Sequence, residues 1–295
     1  MLAVVRPATA GLLFLLVGTV LADEIQGNRA MVNGHLGPPT PSTCYWTERE
    51  FEDLPERGPA LAPGIVLWNH GQATGHPSWQ FGAPPVIRLF AESGWDVLLV
   101  QRNPICEGNW SAKGREYVET LVNEVRAAKK RGYRRILVAG QSMGAGIALG
   151  AAEKTDQIGG VMAFALSHGR RSCRDARTIR PGMIAFHERQ IERAIREARS
   201  PRILISMGKD DHCVGHSFSP LVSRTLAARD IAYIYLDESM AIAGHGAATG
   251  QQFASLYGDC LLKFFSQEDK PENGRRSCAV PRLGSKFVFL LPENT

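Results

Sequence analysis

The chain has 295 residues, 44% of them apolar, with a formal net charge of +5 and six cysteines. The length accommodates one large α/β domain, and two small ones remain possible. The positive charge is modest and dispersed, with small groups at Arg134-Arg135, His168 to Cys173 and Arg275-Arg276, so no nucleic-acid partner is expected.

The first 22 residues stand apart. Arg6 supplies a short basic region, Gly11 to Leu21 is apolar or weakly polar, and Val20-Leu21-Ala22 precedes the acidic pair Asp23-Glu24. This pattern predicts a secretory signal peptide cut after Ala22. Its core is shorter than the roughly 18 apolar residues of a spanning helix, so no stable membrane insertion is expected and the mature chain would be secreted or periplasmic. All six cysteines (Cys44, Cys106, Cys173, Cys213, Cys260 and Cys278) follow the signal and none forms a CxxC pair. Export and even number favour up to three disulfides over a zinc site or buried free thiols. Every pairing is open from sequence; Cys260 with Cys278 is preferred because both flank the closing segment and would clamp the tail.

Residues 23–63 form a proline- and glycine-rich lead-in, extended through Gly37 to Pro41, in which Cys44-Tyr45-Trp46 reads as a short strand or a pin to the body. Residues 64–267 form the core. Strands are predicted at Gly64 to Trp68, Asp96 to Gln101, Ile136 to Val138, Gly159 to Leu166, Arg202 to Gly208 and Ala232 to Leu236. Helices are predicted at Val86 to Ser93, Ser111 to Arg131, after Gly144, and at Met183 to Arg199, Ser217 to Arg229 and Ala248 to Phe265. This alternation predicts an α/β fold with a mostly parallel sheet and helices on both faces. The tail, 268–295, is expected to pack on the core, with Lys286 to Leu291 as an edge strand or a segment packed against the body.

Between the apolar run Ile136-Leu137-Val138 and a stretch of small residues lies Gly140-Gln141-Ser142-Met143-Gly144. This is G-x-S-x-G in a strand–turn–helix context, the setting that lifts a serine hydroxyl to the top of a sheet as a nucleophile. An ordinary turn serine capping the helix is the plainer reading. A nucleophilic serine needs a histidine to accept its proton and an acid to orient that histidine. His245 lies in the flexible Ala243-Gly244-His245-Gly246, after the last core strand, and Gly208-Lys209-Asp210-Asp211 follows the strand before it.

The order Ser142, Asp211, His245, each after a predicted strand, resembles the α/β-hydrolase superfamily over roughly Gly64 to Phe265, in particular its dienelactone-hydrolase-like and serine esterase branches. The resemblance implies an eight-stranded, mostly parallel sheet. It favours Asp211 over Asp210, because Gly208, Asp211 and Val214 match the G-x-x-D-x-x-V spacing. It also implies an oxyanion hole from the backbone N–H groups of Met143 and Gln72, the latter following His70-Gly71. His70 either orients that loop or makes a structural hydrogen bond. Ser142 stands where dienelactone hydrolases can carry cysteine, which favours general ester hydrolysis over their lactone reaction.

The expected function is therefore a secreted serine hydrolase of carboxylic esters, small or polymer-borne, working through an acyl-enzyme and requiring no cofactor. A serine peptidase or amidase uses the same residues and is the main alternative; a silent cell-envelope binding protein is the third. A metal reading of Asp211, His212 and His216 lacks an H-E-x-x-H motif and is set aside. Trp79, Phe81 and Trp110, in loops near the carboxyl ends of the strands, either bind substrate or pack those loops. The sequence leaves the oligomeric state open.

Overall fold

A computed structural model describes residues 44–72, 82–102, 110–166, 181–211, 213, 218–240, 242–267 and 272–278, the side chains of 110–112 and 181–187 excepted. Within these, eight strands form one sheet: β1 (Tyr45–Arg49), β2 (Ile65–Asn69), β3 (Asp96–Arg102), β4 (Ile136–Gln141), β5 (Gly160–Phe164), β6 (Arg202–Ser206), β7 (Ala232–Leu236) and β8 (Gly274–Arg276). Their spatial order is β1-β3-β2-β4-β5-β6-β7-β8; β1 is antiparallel to β3 and the other pairs are parallel.

The central strands are fully buried, as parallel strands covered on both faces must be. Successive side chains alternate between two cores. Ile65, Leu67, Ile136, Val138, Val161, Ala163, Ile203 and Ile205 face one core, and Val66, Trp68, Leu137, Ala139, Met162, Phe164 and Leu204 the other. The first core is covered by α2 (Trp110–Arg131), α3 (Met143–Lys154), α4 (Pro181–Glu197) and α5 (Phe218–Ala227); the second by α1 (Pro85–Glu92) and α6 (Gln251–Ser266). Among the described residues no helix is long and apolar enough to cross a membrane.

Three departures from the sequence reading have local causes. The strand expected to run to Leu166 stops at Phe164 because Ala165 takes a φ of 46° and turns the chain. The closing helix is preceded by a separate 3-10 turn, Ala247–Thr249, and Gly250, with extended backbone, divides the two. Strand β8, of sequence GRR, carries no apolar pattern by which to see it, and its short, charged character suits a sheet edge. Cys260 and Cys278 are bonded, joining α6 to the segment just after β8. Cys44 and Cys213 are disulfide-bonded as well. Lys286 to Leu291 lies outside the described residues, as do residues 1–43 with the expected signal peptide.

Candidate active site

Strand β4 ends in a turn that places Ser142 at φ 57° and ψ −117°, directly before α3. A non-glycine residue there is strained by roughly 1–3 kcal/mol, which the surroundings must offset. They do so by close backbone approach. A Cβ on Gly140 would come within 2.3 Å of the Gly144 backbone, and one on Gly144 within 2.1 Å of the Asn69 carbonyl oxygen, so neither position accepts a side chain. The Ser142 N–H donates to the Phe164 carbonyl at 2.9 Å, anchoring the turn to β5.

The loops after β6 and β7 are laced together by backbone. Gly244 N–H donates to Lys209 O at 2.6 Å and Lys209 N–H to Ile242 O at 3.3 Å. Across this bridge the His245 ring meets Asp211: Nδ1 lies 3.0 Å from each carboxylate oxygen. Asp211 is buried and also accepts the Cys213 N–H at 2.9 Å, whereas Asp210, at φ 55°, is exposed. A carboxylate facing Nδ1 keeps the proton there and leaves the ring's lone pair on Nε2. His245 Nε2 is buried with no hydrogen-bond partner among the described residues. The Gln141 side chain, next to Ser142, donates to the His245 carbonyl at 3.2 Å and so ties the histidine loop to the serine turn.

The third component is the segment after β2. Asn69 and His70 are buried, and a Cβ on Gly71 would stand 3.2 Å from the Ser142 Cβ, so this loop lies against the serine turn. Neither the Gln72 N–H nor the Met143 N–H has a partner among the described residues, the latter because the first N–H groups of a helix have none within it. Beside Gln72 opens a cavity of about 520 Å³, lined by Trp68, Gln72, Pro84, Pro85, Gln141 and Thr249 among others. It sits at the carboxyl ends of β2 and β4, where open α/β sheets place their ligands.

Trp79 and Phe81 lie outside the described residues, as do His212 and His216. Trp110 is the first residue of α2 rather than a loop residue, and its side chain is not among those described. The donor atoms of Asp211, Cys213 and His245 all fall within 4.8 Å of one another, but the Cys213 sulfur is committed to a disulfide and offers no thiolate to a metal. Two residues that sequence reasoning passed over are Gln141, hidden inside the motif as its variable position, and Arg102. Arg102 is a cation at the end of β3, after the apolar run Val97 to Val100 and Gln101, and is 2% exposed; a charge closing a buried strand was the available signal.

This fold is shared with solved structures. The puromycin-hydrolysing peptidase of Mycobacterium tuberculosis superposes with a TM-score of 0.54 at 19% identity, covering 82% of this chain. The chain has the α/β-hydrolase fold. An acylaminoacyl peptidase matches at a TM-score of 0.56 and 13% identity over 78% of this chain, and an esterase of Pyrococcus furiosus at 0.50 and 16% over 69%. The chain spans 40% of the length of each of these two peptidases and 81% of the esterase. No family model matches the sequence, and no curated protein does.

Proposed function

We propose that this chain is an exported serine hydrolase that cleaves carboxylic esters, with Ser142 as nucleophile, His245 as general base and acid, and Asp211 as the group that orients and stabilises the histidine. The observation that carries the reading is the conjunction of a strained serine turn with a half-buried His245 paired to a buried Asp211, its Nε2 bonded to no described residue, Ser142 included. In this mechanism Nε2 takes the Ser142 hydroxyl proton as Oγ bonds the substrate carbonyl carbon. The carbonyl oxygen gains the negative charge, which the Met143 and Gln72 N–H groups receive. His245 then protonates the leaving alcohol, the tetrahedral centre collapses to an acyl-Ser142 ester, and water repeats the sequence to release the acid.

Export rests on the amino-terminal pattern and on the disulfides at Cys44, Cys213 and Cys260–Cys278, since such bonds persist in oxidising compartments. The 520 Å³ cavity suits a small or locally accessible, partly apolar acyl or alcohol group. Peptide or amide cleavage is the second reading, supported by the two peptidases that match 82% and 78% of this chain. Turnover of matched esters and anilides by the oxidised, purified protein, with Ser142→Ala alongside, tests both. Ester turnover absent from Ser142→Ala supports the first reading, and anilide cleavage with negligible ester cleavage replaces it with the second.

A further inference from the structure

Strand β3 ends in Arg102, whose guanidinium is buried over the face of Tyr117, 5.5 Å from the ring centre. Its Nη2 donates to the carbonyl of His70 at 2.6 Å and reaches that of Gly71 at 3.4 Å. The His70 ring, also buried, sits between them. Its Nδ1 is 2.7 Å from the Gly71 oxygen and 3.1 Å from Arg102 Nη2. An unprotonated Nδ1 would set two lone pairs against each other at 2.7 Å. A protonated Nδ1 donates to the carbonyl, and the two Nη2 hydrogens are both taken up by the carbonyls. Burial, and next the Arg102 charge, hold His70 well below its ordinary pKa, so the ring carries one proton, and this geometry puts it on Nδ1.

The consequence falls on the next peptide group. No described peptide bond is cis, so the Gly71 carbonyl and the Gln72 N–H lie in one plane and point in opposite directions. A flip of this peptide turns on ψ of Gly71 and φ of Gln72, and the missing Cβ of Gly71 leaves its ψ little restricted. A flipped peptide would turn a carbonyl dipole toward the developing oxyanion in place of a donor. We propose that Arg102 and His70 are positioning residues which grip the His70 and Gly71 carbonyls and thereby keep the Gln72 N–H aimed at the substrate oxygen. The proposal rests on the reading of Gln72 as an oxyanion donor.

The test uses the full oxidised chain and compares wild type with His70→Phe, His70→Asn and Arg102→Met. Asparagine is the rescue variant: its side-chain amide places an N–H close to where Nδ1–H stands, and Nε2 makes no bond to be missed among the described residues. Active-site titration with a serine-directed phosphonate comes first. An unlabelled wild type would overturn the hydrolase reading and the clamp with it. With a labelled wild type, His70→Phe and Arg102→Met should lower kcat by about 10²-fold, the cost of a misplaced oxyanion donor, with KM changed less than about threefold. Affinity for an aryl boronate, which mimics the tetrahedral anion, should fall by a similar factor, while that for a neutral, unreactive substrate amide stays put. His70→Asn should keep kcat within about threefold of wild type. Wild-type kcat and boronate affinity in His70→Phe would overturn the clamp while leaving the hydrolase standing. So would equal losses in His70→Phe and His70→Asn, or a fall in boronate affinity no larger than that of the neutral amide. If Arg102→Met fails to fold, the two His70 variants decide alone.

Discussion

The loop that carries His245 is joined to the Asp211 loop by main-chain hydrogen bonds, Gly244 to Lys209 and Lys209 to Ile242. The loop that carries Gln72 is held instead by side chains, the Arg102 guanidinium and the His70 imidazole, reaching its carbonyls. Main-chain lacing survives most substitutions, because every residue except proline brings the same donor and acceptor. A side-chain clamp is lost with the one residue that supplies it. The proposed acid–base half of the site should therefore respond to changes in the reacting groups and in Gln141, whose side chain ties the histidine loop to the serine turn, and the proposed oxyanion half to a buried arginine on a neighbouring strand.

The largest effect expected is on the reacting groups themselves. Ser142→Ala and His245→Ala should each cost about 10⁴-fold or more in kcat with the fold retained, as judged by circular dichroism and Tm. Turnover near wild type in either folded variant would remove that residue from the triad. Next comes the acid. Asp211→Asn should lower kcat by about 10⁴-fold by favouring the wrong histidine tautomer, while Asp210→Asn, at an exposed position, should stay within about threefold. The reverse order would move the role to Asp210 and break the contrast drawn above. The comparison sharpens if substitutions along the laced loops, such as Lys209→Ala, leave kcat nearly unchanged while the clamp variants lose about 10²-fold.

How much of this is written locally in the sequence differs between the halves in the same way. The serine turn is legible because its parts are neighbours: an apolar strand, G-x-S-x-G, then small residues. The central strands are legible as runs such as Ile65 to Trp68, since burial on both faces leaves few polar side chains to interrupt them. Strand β8 is not, and β1 only at its start, Tyr45-Trp46, because an edge strand buries one face or less and reads as GRR or YWTER. The contacts that assemble the site are also invisible to local pattern. Gln141 bonds a carbonyl 104 positions away, and Arg102 reaches back 32 positions to His70, where only the folded sheet order makes β2 and β3 neighbours. Asp211 and Asp210 are adjacent carboxylates told apart in the sequence only by a spacing match, and in the structure by burial.

Smaller effects concern stability. Breaking Cys260–Cys278, which spans 18 positions at the sheet edge far from the serine turn, should cost about 2–4 kcal/mol and lower Tm by roughly 5–15 °C. Catalysis in the surviving folded fraction should be unchanged; a Tm like that of wild type would show the staple to be idle. The smallest expected effect is the pH dependence contributed by His70. Its folded pKa lies well below the ordinary 6.5, so the unfolded chain takes the proton first. The stability it contributes is full above about pH 6.5 and is lost as pH falls below that value toward the folded pKa. The drop in Tm between about pH 7.5 and pH 5 should accordingly be smaller for His70→Asn than for wild type. Equal drops would mean that His70 is not held neutral.

The most direct test of the account as a whole is to react the oxidised protein with a serine-directed phosphonate and map the adduct by peptide mass spectrometry. The account predicts one adduct per chain, on Ser142, absent from Ser142→Ala and formed far more slowly in His245→Ala. An adduct on another residue, or none on a folded and fully oxidised wild type, would contradict it.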